Sequence, residues 1–434
     1  MNNNKNRLSL AVALGLLGSV ASTNSMAAGF QLAEYSATGL GRAYAGEAAM
    51  ADGADAQWRN MAMLTYLEGT QISVGGIYVD PNVDVEGSSK FLGKTIHTKS
   101  EDFAHDAFIP NLYVSHRVNE KLALGVALGT NYGMETDLDD NFAASHFGNT
   151  ASIITKELNL NIAYQVMPQL SVGGGVRYVM GEGHFGATIP QQMGPLLAGK
   201  TLKYMEGTDK AFGWQVGTAW QINDANRIGF TYKSEVKLNL EGHAKGLGFD
   251  LYANNKSDTY AGSMALAMPA TAELASFHQL TESIAIHASL NWTDWSSFEK
   301  LEANIPSLKK PVQDIKDEHW EDNYRIALGG TYQLNQKITL RSGIAYDTSA
   351  VSDKNRTITI PETDRTWLSI GAGYEWSQNL SLDAGFTYII AKDAPITESR
   401  GYPSDDIAQG FGGKFKGETT GSVWLLGVQA NYRF

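Results

Sequence analysis

Apolar residues alternate with polar or small residues along most of the chain after its first seventy positions. The last eleven residues show the pattern most plainly. Their even-numbered positions, from Trp424 to Phe434, are apolar, whereas the odd-numbered positions include Gly427, Gln429 and Asn431. A strand with unlike environments on its two faces gives this period of two. Aromatic residues at both ends of the apolar face are typical of a strand that crosses a lipid layer.

The alternation recurs in fourteen segments, and their connections are tight and long in turn. We predict strands that begin near Gln71, Ala107, Lys121, Thr155, Leu170, Ala211, Arg227, Thr259, Ser283, Asn323, Lys337, Thr366, Asn379 and Ser422. An even number of strands, with short turns on one side and long loops on the other, is typical of a bacterial outer-membrane barrel. The barrel must close, because an open sheet edge in hydrocarbon would leave backbone groups unpaired at several kcal/mol each.

The predicted fold class is therefore all-β: a 14-stranded antiparallel transmembrane β-barrel. The alternative is a secreted soluble β-sandwich. A sandwich would bury its apolar face and would have no need of an aromatic chain end.

The first 27 residues have the features of a secretory signal peptide. Lys5 and Arg7 precede an apolar run, and Ser25 and Ala27 occupy the small-residue positions of a cleavage site. The alternative is a buried N-terminal helix. Residues 28–69 lack strand alternation and are rich in Ala and Gly. We predict that they form a hatch inside the lumen of a barrel built from residues 70–434, since fourteen strands leave more space than eight.

Composition excludes several classes of function. The chain has no Cys, which excludes a disulfide scaffold, a thiolate metal site and a cysteine nucleophile. Its formal net charge of −12 argues against a nucleic-acid partner. No metal-binding or phosphate-binding motif is present, so we predict no cofactor, metal site or catalytic residue. An acidic soluble enzyme would also fit these totals, so the strand pattern decides the class.

Five stretches, in order and at compatible spacing, resemble the FadL-type outer-membrane long-chain fatty acid transporter family. They are "AGFQLAEYSATGLGRAYAGEAA", "YVDPNVDVEG", "NYGMETDL", "NRIGFTYKSEVKL" and "NRTITIPETDR". The resemblance implies a fourteen-stranded barrel with an N-terminal hatch. It also implies passive, hatch-gated diffusion of hydrophobic compounds, with lateral exit at a kink in the third strand. "NYGMETDL" matches that kink at Asn131, Tyr132 and Gly133.

The resemblance also assigns residues to the hatch, namely Phe30, Arg59 and Asn60. One position departs from the family. The family has an Asn-Pro-Ala turn where this chain reads Asn60-Met61-Ala62. Loss of Pro removes a fixed φ and restores a backbone donor, so we expect a looser or differently shaped turn.

An amphiphile with an acyl tail needs an apolar groove and a partner for its carboxylate. Two predicted loops contain apolar residues that form a candidate ligand groove: Ile189, Met193, Leu196, Leu197, Leu202, Phe249 and Leu251. The alternative for these residues is packing between loops. For the carboxylate, the family uses a Lys before the tenth strand, which is Lys316 here, with a solvated loop charge as the alternative.

The family's second cation, an Arg after the fifth strand, falls on about Ala187, and Arg177, Lys203 and His184 are candidate substitutes. Four other cationic or titratable residues occupy positions that the alternation predicts to face the lumen: Lys233, His287, Arg325 and Arg341. We assign these four to polar networks of the wall and hatch.

The sequence thus predicts uptake of long-chain fatty acids in the outer membrane of a Gram-negative bacterium. The nearest alternative is a monoaromatic hydrocarbon channel of the same fold. A surface receptor or adhesin, a phage receptor and a general porin are further alternatives. The expected partners are hydrophobic ligands, outer-membrane lipid, lipopolysaccharide and, during biogenesis, the barrel-assembly machinery. We expect a monomer.

Overall fold

The computed structural model describes residues 29–91, 93–399 and 413–434. The predicted signal peptide lies outside the described residues. Fourteen strands, several of them in two pieces, make up most of the described chain. The first seven are β1 Thr70–Phe91, β2 Lys94–Ser100 and Ala107–Arg117, β3 Leu122–Gly129 and Gly133–Asp137, β4 Thr150–Met167, β5 Leu170–Thr188, β6 Thr201–Asn223, and β7 Asn226–Lys233 and Val236–Lys245. The other seven are β8 Tyr260–Met268 and Thr271–Gln279, β9 Ile284–Thr293 and Lys300–Asn304, β10 Val312–Asp317 and Asn323–Gln333, β11 Ile338–Asp347, β12 Arg365–Glu375, β13 Leu380–Ala391 and Ala394–Ser399, and β14 Lys414–Arg433.

The strands form one closed antiparallel ring, which confirms the predicted fold class. Each strand pairs with the next in the chain. The first and last strands close it, from Gln71 opposite Arg433 to Lys90 opposite Lys414. Closure leaves neither terminal strand with an unpaired edge in lipid.

Some strands extend further than the apolar alternation predicted. β6 begins at Thr201 rather than near Ala211, and β14 begins at Lys414 rather than near Ser422. The added residues pair with neighbouring strands on the side of the long loops, where the outer face no longer needs to be apolar. The alternation therefore predicts the span in lipid and not the full length of each strand.

The two faces of the wall have the predicted character. On the outer face, the side chains of Phe212 and Ile326 are 71% and 62% exposed. Inward positions carry buried polar residues such as Asn161 and Gln215. The outer rings of Tyr78 and Trp424 lie 5.3 Å apart at one level of the barrel. Tyr432 and Phe434 form a second aromatic pair at the other end of β14, as expected for two interfacial girdles.

Residues 29–69, here called the inner segment, lie in the lumen. They contain the short helices α1 Ala37–Leu40 and α2 Ala56–Arg59 and the 3-10 helices Glu47–Ala49 and Met61–Tyr66. A third short helix, α3 Leu247–Asp250, belongs to a loop. The described residues contain no helix long and apolar enough to cross a membrane. Hydrogen bonds join the inner segment to strands around the ring: Ala37 to Gln429, Gln57 to Val114, Asn60 to Thr218, and Arg325 to Ala43.

Glycines in the wall make room for the inner segment at the turn that contains Asn60. A Cβ atom at Gly173 of β5 would meet the backbone of Met61 and Ala62, and one at Gly217 of β6 would collide with the Asn60 side chain. The small-residue face of these strands is therefore explained by close approach of the inner segment.

Candidate functional site

The barrel wall is interrupted between β2 and β3. These strands pair only from Leu112 opposite Leu128 to Arg117 opposite Ala123. The second piece of β3, Gly133–Asp137, pairs with β4 instead. In the described part of the chain, the β2 side meets β3 further along at the isolated bridge between Ala104 and Thr136. The first residues of the Ala107–Arg117 piece therefore have no strand partner on the β3 side within the described ranges. The interruption coincides with the kink predicted at residues 131–133.

The inner segment takes the place of the missing wall strand at the kink. The backbone N–H of Leu32 donates to the Asn131 carbonyl at 2.7 Å, and that of Gly133 donates to the Phe30 carbonyl at 2.8 Å. Gln31 and Tyr132 form an antiparallel bridge between these two bonds. Residues 30–32 thus act as a short strand added to β3 from inside the barrel.

Polar side chains hold the kink in its bent shape. The Asn131 amide donates to Glu157 at 2.6 Å, and the Tyr132 hydroxyl donates to the Pro269 carbonyl at 2.8 Å. Arg177 binds the Glu157 carboxylate through two nitrogens at 2.8 and 2.9 Å. A bidentate buried pair of this kind is strong and directional. Arg177 is consequently engaged with the wall and not disposed to replace the absent family Arg.

Phe30 lies at the centre of an aromatic cluster above the kink. Its ring centroid is 4.6 Å from that of Trp295, 6.1 Å from Tyr132 and 5.9 Å from Trp320. These rings belong to a larger apolar cluster in the lumen, here called the chamber: Phe30, Tyr132, Met134, Ala151, Ile153, Val179, Val236, Leu238, Leu240, Leu266, Met268, Trp295, Phe298, Trp320, Ala350 and Val351. The chamber is thus a packed group of buried apolar side chains that adjoins the interrupted wall.

Lys316 borders the chamber but already has an acidic partner. Its Nζ lies 3.3 Å from Glu398, and both side chains are 8% exposed. Its cross-strand neighbour Leu301 packs against the chamber. Glu318, which accepts a hydrogen bond from the Trp320 indole at 2.9 Å, is a second nearby carboxylate. Burial raises the pKa of Glu318, and the positive charge of Lys316 opposes that rise. Any anionic ligand that binds Lys316 must therefore compete with Glu398.

The predicted groove residues divide into buried and exposed groups. Ile189 is 7% exposed, and Phe249 is fully buried in a separate cluster with Met205. In contrast, Leu196 is 91% and Leu251 is 76% exposed. Leu197 is also exposed, whereas Met193 and Leu202 are half-buried. Ile189 and Phe249 are thus packed within the protein, as the alternative of packing between loops predicts. Leu196 and Leu251 are exposed and accessible to a ligand.

The two loops meet at the start of β6. The carbonyl oxygen of Leu202 lies so close to Gly246 and Gly248, at the start of α3, that a Cβ atom at either glycine would collide with it. Lys203 lies over the Phe249 ring at 5.7 Å. His184 is on the opposite face of β5 from half-buried Phe185 and stacks on Tyr204. The contacts of Arg177 and His184 are thus with Glu157 and Tyr204, whereas Lys316 pairs with Glu398.

The turn at Asn60 keeps an ordered shape without Pro. The Asn60 side chain accepts from the Ala62 N–H at 3.0 Å and donates to the carbonyls of Ala48 at 2.6 Å and Thr218 at 2.9 Å. Its backbone is extended, with φ −139° and ψ 110°, which is the conformation that a residue before Pro adopts. Arg59 is half-buried, with its guanidinium 5.0 Å from the Tyr35 ring centroid. The turn at Asn60 is therefore hydrogen-bonded in this chain, and a looser or different shape than that of the family's Asn-Pro-Ala turn stays a prediction.

Sequence reasoning missed the residues that surround Lys316. Glu398 lies in the second piece of β13, Ala394–Ser399, whose composition resembles that of a loop. Its ion pair with Lys316 joins residues far apart in the chain, and such a contact leaves no periodic pattern in the sequence. Within the described ranges, no group of three or more His, Asp or Glu side chains could hold a metal ion.

Comparisons with known proteins agree with this geometry. Residues 18–434 match the family described as "Outer membrane protein transport protein (OMPP1/FadL/TodX)". The chain is 34% identical over 453 residues to the long-chain fatty acid transport protein of Escherichia coli O6:H1 strain CFT073, with 98% of each chain covered. It resembles the crystal structure of a Pseudomonas aeruginosa FadL homologue, with a TM-score of 0.83, 21% identity, and 94% and 100% of the two chains covered. For the Pseudomonas putida toluene transporter TodX, the TM-score is 0.67 at 16% identity, with 94% and 100% covered.

Proposed function

The chain belongs to the outer membrane transport protein family OMPP1/FadL/TodX, and from that premise we propose that it takes up long-chain fatty acids and similar hydrophobic compounds by passive diffusion. It is an outer-membrane β-barrel protein. The fatty acid class is supported by relatives that are named long-chain fatty acid transport proteins and align along nearly the whole chain. Residues 1–27 are the proposed cleaved signal peptide, and residues 28–69 the proposed hatch.

The single observation that carries the proposal is the apolar chamber beside an interrupted wall. A ligand that enters between the side chains of the chamber would be separated from the lipid by the kink at residues 131–133 and by the short strand of residues 30–32 that covers the kink. Hydrocarbon that leaves through this interruption passes from an apolar surface into the bilayer without crossing water. Such a route avoids the hydration cost that an acyl chain meets in an aqueous pore.

Capture and head-group binding are proposed for different residues. Leu196 and Leu251 expose apolar side chains on the two loops, and capture of the acyl chain is proposed for them. Lys316 is the proposed partner of the carboxylate, since a buried carboxylate needs a charge or donors. Its pair with Glu398 keeps the site neutral until an anionic ligand exchanges with that glutamate. Phe30, Arg59 and Asn60 are proposed to hold the hatch.

Uptake of monoaromatic hydrocarbons is the second candidate. The aromatic rings around Phe30 support it, because edge-to-face contacts suit small aromatic ligands. The Lys316 site favours fatty acid, because toluene has no charge to bind. Transport rather than catalysis is proposed for both candidates. A receptor, adhesin or general porin role has no observation that favours it.

The partners beyond the ligand are also proposals. The apolar outer face and its two aromatic pairs fit membrane lipid. Lipopolysaccharide would then contact the wall above the girdle formed by Tyr78 and Trp424. Pairing of β1 with β14 within one chain leaves neither of these two described strands with a free edge for a second copy, which supports a monomer. Assembly by the barrel-assembly machinery follows from the outer-membrane location.

A paired titration distinguishes the two candidate ligands. The barrel in lipid nanodiscs is titrated with oleate and, separately, with toluene, and empty nanodiscs correct for partition into lipid. We expect saturable oleate binding that weakens in Lys316→Ala, while toluene binding is unchanged by that substitution. Saturable binding of toluene alone would replace the fatty acid proposal with the hydrocarbon channel.

A further inference from the structure

A second cluster of cationic side chains lines a cavity deeper in the lumen, away from Lys316. The cavity has a volume of about 40 Å³ and lies between residues 31–33 of the inner segment and the inner faces of β7 to β12. Arg59, Lys233 and Arg325 line it, together with Glu273 and Asp347. Cations therefore outnumber carboxylates here, in a chain whose net charge is −12.

Both carboxylates of the cavity are engaged with other groups. Glu273 accepts from the Ala48 N–H at 3.0 Å and from the Asn291 amide at 2.9 Å. Asp347 accepts from the Asn323 amide at 2.9 Å and pairs with Arg365 at 3.4 Å. Within the described ranges, neither Glu273 nor Asp347 forms a salt bridge with a cation that lines the cavity. Positive charge in the cavity is thus not neutralised by direct contact.

Five buried polar atoms of residues that line this cavity have no hydrogen-bond partner in the described structure, and four of the five are donors. They are the Nζ of Lys233, the Nε of Arg59, the Nε of Arg325 and the indole N–H of Trp367, against one acceptor, the amide oxygen of Asn291. Lys233 and Arg325 are only 5% and 6% exposed. Buried donors of this kind are costly unless an acceptor reaches them. A cavity with surplus donors and surplus positive charge has the chemistry of an anion site.

Aromatic rings hold two of the cations in place. The Lys233 Nζ lies 4.7 Å from the Trp58 ring centroid, and the Arg325 guanidinium lies 4.8 Å from that of Trp367. Cation–π contact fixes a side chain without consuming its hydrogen-bond donors. Lys233 and Arg325 are therefore oriented and still able to donate. The inner-wall lysine, expected from sequence to join a polar network, has no hydrogen-bond partner in that network.

The cavity is close to the interrupted wall. Its lining includes Gln31 and Leu32, whose backbone pairs with the kink at Tyr132 and Asn131. The Trp58 ring beneath Lys233 packs against Gly129, the last residue of the first piece of β3. A carboxylate held at Lys233 would leave its acyl chain beside the wall opening.

We propose that this cavity is a second carboxylate-binding station, with Lys233 as its central cation and Arg59 and Arg325 as flanking donors. It receives the head group of a long-chain carboxylate after Lys316 and before lateral exit. The inference rests on the proposed fatty acid function and adds an internal binding site to it.

Photo-crosslinking tests the proposal. An oleate analogue with a diazirine next to its carboxyl group is irradiated with the folded barrel in nanodiscs, and labelled peptides are identified by mass spectrometry. We expect labelling of peptides that contain residues 231–233, 271–273 or 291–293. Lys233→Met should reduce that labelling several-fold, Lys233→Arg should retain it, and Lys337→Met, at an exposed turn, should not change it. The methyl ester analogue should not label these peptides.

Equal cavity labelling in wild type and Lys233→Met, or by the methyl ester, would overturn the station while leaving fatty acid binding intact. Labelling confined to the loops and to peptides around Lys316 would do the same. Absence of saturable oleate binding anywhere would instead overturn the proposed function and the station with it. If Lys233→Met does not fold, as judged by loss of SDS resistance, comparison of the acid and the ester in the wild type still decides the proposal.

Discussion

The backbone N–H of Gly133 donates a hydrogen bond to the carbonyl oxygen of Phe30 at 2.8 Å. This bond joins the bent third strand to a segment that lies inside the barrel and not to its neighbour in the wall. A Cβ atom at Gly133 would lie 3.2 Å from the Cδ1 atom of Leu32. Space on the inner side of the kink is therefore limited to a small residue.

Substitution of Gly133 tests the lateral route. Gly133→Arg places a long cationic side chain against Leu32, and overpacking of this kind costs roughly 1–3 kcal/mol. If the ligand leaves at this point, we expect initial oleate uptake to fall by about tenfold, which corresponds to roughly 1.4 kcal/mol on the barrier. Gly133→Ala is the matched control and should keep most of the uptake, because the flexible end of Leu32 can move. If correctly assembled Gly133→Arg takes up oleate at the wild-type rate, the ligand does not leave the barrel at this position.

The pair formed by Lys316 and Glu398 predicts opposite effects for its two members. Lys316→Ala should weaken oleate binding by about tenfold, since a hydrogen bond to a charged group contributes about 1.5–3 kcal/mol. Glu398→Gln should strengthen binding, because the ligand carboxylate no longer competes with a glutamate. Isothermal titration of both variants in nanodiscs provides the measurement, with toluene as the uncharged control ligand. Weaker binding in both variants would mean that the pair shapes the chamber and does not bind the head group.

The exposed loop leucines are predicted to act in capture. Leu196→Ser and Leu251→Ser should each lower uptake at limiting oleate by about fivefold, from a loss of roughly 1 kcal/mol of apolar contact. Uptake at saturating oleate should stay near wild type, since the interior route is unchanged. Leu334→Ser alters an exposed leucine in a tight turn at the other end of the barrel and serves as the control. An equal effect of all three substitutions would mean that they impair folding or assembly of the barrel and not capture of the ligand.

Stability should fall with rising pH because of Glu362, in the loop between β11 and β12. Burial raises the pKa of Glu362 from 4.5 to about 7, although the Arg365 charge and the Ser349 hydroxyl oppose the rise. The folded chain then holds a proton that the unfolded chain releases, so stability present at low pH is lost between about pH 4.5 and 7. The loss is at most roughly 3 kcal/mol.

Urea unfolding in micelles at pH 5 to 8 measures this loss. Glu362→Gln should flatten the profile over that range, whereas Glu282→Gln, at an exposed turn, should leave it as in the wild type. Identical pH profiles for wild type and Glu362→Gln would contradict a raised Glu362 pKa.

The sequence predicts the barrel well because lipid imposes a strict rule on every strand. Positions that face the lipid, such as Leu426 and Val428, must be apolar, so a period of two is visible in each membrane-spanning strand. The upper extensions of β6 and β14 escape prediction because they stand above the lipid, where either face tolerates polar residues. Their ends depend on pairing between strands, which a single sequence does not display.

The candidate site is only partly visible in the sequence for a different reason. The kink at Gly133 and the position of Lys316 follow from local motifs that resemble a known family. Glu398 and Lys233 acquire their meaning from residues far away in the chain: Glu398 from its contact with Lys316, and Lys233 from the Trp58 ring. Contacts of this kind arise from closure of the ring around the inner segment, and they have no local pattern.

Uptake of labelled oleate by living cells tests the central claim most directly. A Gram-negative strain that lacks its own long-chain fatty acid transporter receives this gene, the Gly133→Arg gene or an empty plasmid, and outer-membrane amounts of the folded barrel are matched. Fatty acid transport with lateral exit predicts that the wild-type gene restores oleate uptake and growth on oleate, and that Gly133→Arg restores neither fully. Oleate uptake no greater than with the empty plasmid, in cells that contain the folded wild-type barrel, would contradict it.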